Sequence, residues 1–240
     1  MHKNKTIYKI TLSSVALALA LVARLVFEIM LPIGGANTMR ISLDSIFISV
    51  PAMLFGGIYG GTVAGLLDIL SVVIKPQGAY IPLLTVTAIL SGVLMGLFYK
   101  LAKKANEKAV KITAFAIFSA LLLFGMLNTV FRLFYIEKYG FALTFFPLIA
   151  GAFGLSAFLA LKIFKAKSGF FGIFFALFLS KAIVSVINSF ILYYSFIAAS
   201  GVGLSVFILA RLLEEAVQSL IISAALSIVY PSIEKAVESN

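Results

Sequence analysis

Nine ionisable side chains stand inside long apolar runs of the sequence: Arg24, Glu28, Asp44, Asp68, Arg132, Lys181, Arg211, Glu214 and Glu215. A charge near the centre of a bilayer costs about 2.5–3.5 kcal/mol on insertion scales, so each needs a partner, water or a ligand. Most of them fall toward the same end of their runs, and Lys181 lies deepest. That distribution predicts a polar cavity open on one side and closed on the other, which suits solute capture and not a through-pore. Arginine suits a carboxylate because its planar fork reaches both oxygens. Arg24, Arg40 and Arg211 are therefore candidates to attract an anionic or hydrogen-bond-rich ligand, Tyr80 to stack on or cap it, and Thr85, Lys181 and Asn188 to satisfy its polar edges. Lys181, Ser185 and Asn188 follow i, i+4, i+7 spacing and form one polar stripe on a helix. Asp68 is either a ligand contact or the partner of a neighbouring cation. Two further readings stand beside these. Arg24 with Glu28 and Arg211 with Glu215 are spaced to neutralise each other along a helix face, and Asp44 stands where a helix start favours a carboxylate.

Residue type excludes several other chemistries. The chain has no cysteine, and its single histidine, His2, lies in the N-terminal tail. A thiol nucleophile, an iron–sulfur centre and a histidine-based metal site or proton relay are out. Neither a phosphate-binding G-x-x-x-x-G-K-[ST] loop nor an H-E-x-x-H pair is present, so no ATP hydrolysis, no enzyme activity, no metal and no cofactor is expected of this chain.

The elements that must position these residues are membrane helices. The chain has 240 residues, 62% of them hydrophobic and 12% charged, with a mean hydropathy of +1.14. Soluble domains carry about twice that charge. The expected fold class is an all-α integral membrane protein in one membrane-embedded unit, each crossing needing about 20 apolar residues. Charge, Gly and Pro divide the apolar sequence into runs at about 8–32, 41–55, 58–74, 81–99, 112–135, 141–161, 169–197 and 202–230, which reads as about eight crossings. The lysine-rich stretch 100–111 is the longest polar segment and the candidate boundary between halves. Of 19 basic residues, 12 lie at Lys3, Lys5 and Lys9, at Lys100, Lys103, Lys104, Lys108 and Lys111, at Lys162, Lys165 and Lys167, and at Lys235. Eight crossings put all four places on one side, which the positive-inside rule makes cytoplasmic together with both termini. The expected location is the cell membrane, with anionic lipid drawing the basic loops to the inner leaflet. The net charge of +10 does not indicate nucleic acid, because no polar platform with interleaved aromatics accompanies it. The alternative for the first run is a cleaved signal peptide, but its apolar stretch runs on to Leu31, longer than a signal core.

Small residues recur at helix-packing spacing. Gly56 with Gly60, Gly57 with Gly61, Gly61 with Gly65, and Gly92 with Gly96 are G-x-x-x-G pairs, and Ala16 with Ala20 gives A-x-x-x-A. They let backbones approach closely, either within the chain or against another subunit.

The stretch from Met39 to Gly61, then Asp68, then Lys75-Pro-Gln-Gly-Ala-Tyr-Ile-Pro followed by Thr85-Val-Thr-Ala-Ile-Leu-Ser-Gly resembles the substrate-binding S component of energy-coupling factor vitamin transporters, nearest the folate group. A weaker echo returns in residues 170–230, where Ala210-Arg211-Leu212 resembles that family's last-helix pattern. The resemblance implies a six-helix core that binds one vitamin from outside, folate or another anionic vitamin. It also implies that the core docks on a scaffold membrane subunit carrying two cytoplasmic ATPases. It implies helices one to four within residues 10–100, the last two within 169–230, and an inserted pair of crossings at about 112–165. Ala16 and Ala20 are similar to the family's docking surface. The loops 33–40 and 75–80, with Gly34, Gly35, Asn37, Lys75, Pro76 and Gly78, resemble its gates over the site. The competing function is an ion-coupled secondary transporter of a small polar solute, with Asp68, Glu214 or Glu215 as coupling carboxylates. The two halves share no evident repeat, which counts against it.

Overall fold

The computed structural model describes residues 2–33, 36–76, 80–105, 107–131, 147–148, 151–152, 154–155, 169–198, 201 and 203–238. Basic residues followed by an unbroken apolar stretch form α1 (His2–Phe27). The first apolar run was expected to stay helical to Pro32, but the helix ends at Phe27. Ile29–Ile33 (β1) pairs antiparallel with Ala36–Ile41 (β2), the register running from Ile29 opposite Ile41 to Ile33 opposite Ala36. The ladder is irregular between Leu31 and Pro32, where proline has no N–H to donate. The all-α expectation thus holds for the long elements and fails at this hairpin. Its sequence signal is the Gly34-Gly35 pair between a short apolar run and the mixed stretch Ala36-Asn-Thr-Met-Arg-Ile41.

After the hairpin come α2 (Asp44–Phe55), α3 (Gly57–Ile74), α4 (Pro82–Lys104), α5 (Glu107–Phe131), α6 (Phe170–Leu192) with a wider π-turn over Tyr193–Ile197, and α7 (Leu204–Glu238). Among the described residues six helices are long and apolar enough to cross a membrane: α1, α3, α4, α5, α6 with its π-turn, and α7. With 12 residues, α2 rises only about 18 Å, short of the roughly 30 Å of hydrocarbon. Gly56, at φ +100°, separates α2 from α3 without a loop, a backbone angle that glycine adopts at little cost.

The lysine-rich stretch is not the loop it was expected to be. Helix α4 runs on through Lys104 and α5 begins at Glu107. Lys, Leu and Ala are good helix formers, cations near a helix C-terminus are favoured, and Lys103 is tied to Glu234 of α7 at 2.7 Å.

The glycine spacings are spent inside the chain. A Cβ on Gly92 would strike the backbone of Gly60, and one on Gly96 the backbone of Gly57, so α3 and α4 cross nearly backbone to backbone. Beyond α5, Leu148, Gly151 and Gly154 lie against Gly125, Leu122 and Phe118 in turn. That descending order is antiparallel contact. Phe118 and Ala114 of α5 join Phe170, Phe171 and Phe174 of α6 and Ala216 and Leu220 of α7 in one apolar cluster, which seats α5 on the outside of α6 and α7. The remainder of the expected sixth run, and Arg132, lie outside the described residues.

Candidate functional site

Six helices, α1 to α4, α6 and α7, bring the same ends of their lengths round one cavity of about 490 Å³, within the range of small-molecule sites. None of the described residues of α5 lines it. Lys75 and Tyr80 stand at its rim, both exposed. Below it, Val50 and Met53 of α2, Met95 and Tyr99 of α4, Ile173 and Leu177 of α6, and Ile222, Leu226 and Tyr230 of α7 form a buried apolar cluster. The cavity is thus open at one end and stoppered at the other, as the charge distribution predicted.

Arg24, in the last turn of α1, is the hub of one side. Its Nε donates to Asp44 Oδ2 at 2.7 Å, and its Nη1 donates to Ser71 Oγ at 3.1 Å with Asp68 Oδ1 3.7 Å away. One guanidinium therefore ties α1 to α2 and α3. Asp44 opens α2, where the helix dipole also favours its charge. Asp68 Oδ2 accepts from Thr85 Oγ1 at 2.7 Å, and the Tyr80 hydroxyl, 2.8 Å from Thr85 Oγ1, then donates to it. This chain carries the rim of α4 back to the hub.

The other side centres on Lys181 of α6. Its Nζ donates to Gln218 Oε1 at 2.6 Å and lies 3.6 Å from Glu215 Oε2. Gln218 Nε2 reaches the Ser42 carbonyl at 3.4 Å, linking α7 to the chain just before α2. Among the described residues Glu215 Oε2 is buried and accepts no hydrogen bond, an open acceptor in the cavity wall. Thr87 Oγ1 lies 2.6 Å from Asn188 Oδ1 and joins α4 to α6. The Arg211 guanidinium sits 5.7 Å from the Phe207 ring centroid, and Arg211 is buried.

Of the residues expected at the site, Arg24, Asp68, Tyr80, Lys181, Asn188 and Arg211 all line the cavity, and Lys75 joins them at the rim. Thr85 lies one bond behind the wall, and Pro76 is exposed beside the rim. Arg40 and Asn37 belong to β2, and their side chains are outside the described residues, as are Gly34, Gly35 and Gly78. Of the two readings open for Arg24, the structure gives it Asp44, 20 residues away, as its close partner, while Glu28 lies just past the end of α1. One expectation is corrected. Ala16 and Ala20, expected to face a docking partner, are 7% and 0% exposed. Their small side chains let α1 pack closely on α2 and α3, so this face is already occupied by the chain itself.

Sequence reading missed Ser42, Ser71 and Gln218. Gln218 was findable, because it stands three residues after Glu215 and seven after Arg211 on one face of α7. Among the described residues the cavity lining carries four cations, Arg24, Lys75, Lys181 and Arg211, and five carboxylates, Glu28, Asp44, Asp68, Glu214 and Glu215. Burying ions one by one costs several kcal/mol each, so a nearly balanced set is the affordable arrangement. Among the described residues no group of three His, Cys, Asp or Glu side chains is placed to hold a metal.

Fold and cavity together define a class: a helical membrane protein built round one ion-lined, single-ended cavity. Residues 4–146 match the family described as the ECF-type riboflavin transporter, S component, and the chain belongs to that family. The folate transporter FolT of Clostridium novyi (strain NT) is 35% identical over 71 residues, which are 30% of this chain and 41% of that protein. The aligned part of this chain thus spans about two fifths of that relative. No solved structure matches. The family is one of transporter components and not of enzymes.

Proposed function

We propose that the chain is a vitamin-binding S component that captures its ligand at the cavity mouth and depends on a separate scaffold membrane subunit and two cytoplasmic ATPases for import. The observation that carries this reading is the single-ended cavity, whose ion pairs come from five different helices and whose opposite end is stoppered by apolar side chains. In this reading the short α2, with only 12 residues, still returns the chain from the mouth to the opposite side, so that the chain makes about eight passes through the cell membrane with both termini cytoplasmic. Residues 112–165 are an added helical hairpin on a six-helix core. The β1–β2 hairpin and the 75–80 segment gate the mouth.

The ligand is folate or a related vitamin with a flat, hydrogen-bond-rich ring. The family description names riboflavin and the relative's name folate; both vitamins offer ring N–H and C=O groups. The open acceptor on Glu215, with Lys181 and Asn188 beside it, suits a ring edge that donates as well as accepts. Arg211 and, at the rim, Lys75 suit an acidic tail. Arg24 and Asp68 shape the wall through their pairing, with Thr85 and Tyr80 holding Asp68 from behind. The scaffold meets a surface other than the buried Ala16 and Ala20 face.

The test is a titration of the purified full chain with folate, riboflavin and a panel of other vitamins, read by thermal unfolding. A true ligand at a thousand times its Kd stabilises by about 4 kcal/mol. A panel in which nothing raises the midpoint overturns the proposal, and uptake by this chain alone in vesicles would favour an ion-coupled transporter.

A further inference from the structure

At the end away from the cavity, the first turns of α1 and the last turns of α7 flank a groove of about 510 Å³, lined by residues that include Tyr8, Leu12, Ile228, Ile233 and Val237, with Ser232 in its wall. Two exposed lysines flank this apolar slot. Lys5 is exposed and stands three residues before Tyr8, on the same face of α1. Lys235 is exposed on the α7 turn that carries Ser232 and Ala236. Among the described residues neither ammonium forms an ion pair. The nearby carboxylate of Glu234 is already engaged by Lys103 at 2.7 Å and by the Tyr230 hydroxyl at 3.1 Å. Lys9 adds a third cation, 5.9 Å from the ring centroids of Phe55 and Tyr59.

A slot that is apolar along its length and cationic at its rim, at the ends of two membrane-length helices, complements an amphiphile with an anionic head. An acyl chain fills the slot with contacts that need no polar partner, and a phosphate answers two ammonium groups that have no ion pair among the described residues. A protein segment would have to bring both an apolar ridge and acidic side chains to the same two turns, whereas the bilayer presents the lipid at high concentration from the side. We infer that this groove binds one anionic phospholipid, its acyl chain between α1 and α7 and its phosphate held by Lys5 and Lys235. The inference does not depend on the identity of any vitamin.

The test uses the full chain in mild detergent, offered phosphatidylglycerol and phosphatidylcholine in equal amounts, with retained lipid read by native mass spectrometry. The wild-type chain keeps one phosphatidylglycerol in preference to phosphatidylcholine. Lys5→Gln and Lys235→Gln each lower that preference roughly fivefold. Leu12→Trp, which intrudes on the slot, abolishes retention of either lipid. Unfolding midpoints of the variants in lipid-free detergent, within about 2 °C of wild type, report that each is folded. Equal retention of the two lipids by the wild-type chain overturns the inference, as does a preference that survives loss of both lysines. Retention unchanged by Leu12→Trp assigns the lipid to the outer surface and overturns it too. So does a membrane protein that displaces the lipid and is itself lost on Leu12→Trp, because the groove is then a protein interface.

Discussion

Helices α2, α4, α6 and α7 each do two different jobs along their length. Toward the mouth they carry Asp44, Thr85, Lys181 and Arg211 to the network around the cavity, and toward the other end they carry Met53, Tyr99, Ile173 and Ile222 into a closed apolar cluster. The mouth is organised by pairs: Arg24 with Asp44 and Asp68, Thr85 with Asp68, and Lys181 with Gln218 and Glu215 each join two helices. The stopper is organised by shape, where no single contact decides. Loss of one member from a set of pairs strands its partner in a low-dielectric surrounding, whereas loss of one member from a packed cluster leaves a void whose cost depends on local collapse. Ligand affinity should therefore answer to the first region and not to the second.

The largest effect is expected at the hub. Arg24→Met leaves Asp44 and Asp68 without their cation and should destabilise by about 3–5 kcal/mol. Adding Asp44→Leu should restore much of that loss in thermal unfolding; a single substitution costing under about 1 kcal/mol would mean the hub is wetter than its burial implies. In the stopper, Ile222→Ala should cost about 2–4 kcal/mol while vitamin affinity, measured by calorimetry on the surviving fold, stays within twofold; a large affinity loss there would merge the two regions into one. Gly92→Val should cost about 1–3 kcal/mol by forcing α3 from α4. Because α4 carries Thr85, this change should also weaken vitamin binding, and it tests whether the crossing sets the spacing of the mouth. The smallest effect is at the rim. Tyr80→Phe removes one hydroxyl from the chain to Asp68, worth about 0.5–1.5 kcal/mol. It should lower affinity a few-fold with little change in the unfolding midpoint, and a change confined to stability would remove Tyr80 from the gate.

Much of the mouth was legible in the sequence because charge inside an apolar run is rare and expensive. Six of the eight residues expected to contact the ligand line the cavity, because burial cost alone forces such groups to turn inward. The partner choices were not legible. Arg24 has a carboxylate four residues away in sequence, yet its close bond is to Asp44, since three helix ends converge there and no local spacing records that convergence. The face of α1 was misjudged for a related reason: Ala16 and Ala20 signal close approach to something, and the sequence does not say whether that is the chain's own α2 and α3 or a second subunit. Element ends were blurred where composition is ambiguous. Lysine-rich residues 100–104 read as a polar loop, although their propensity is helical and Glu234 was in place to receive Lys103.

Helix α7 is one element of 35 residues, running through Pro231 to Glu238. At 1.5 Å per residue that is about 52 Å, well beyond the roughly 30 Å of hydrocarbon it has to traverse. Gln218 and Glu215 stand in the cavity wall near its upper third, and Lys235 stands near its foot. Pro231 removes one backbone hydrogen bond between those points, yet the helix continues through it, so motion of the foot is passed on to the wall. Whatever grips its basic foot therefore has a mechanical handle on the walls that cradle the ligand, with no relay of side chains required between them.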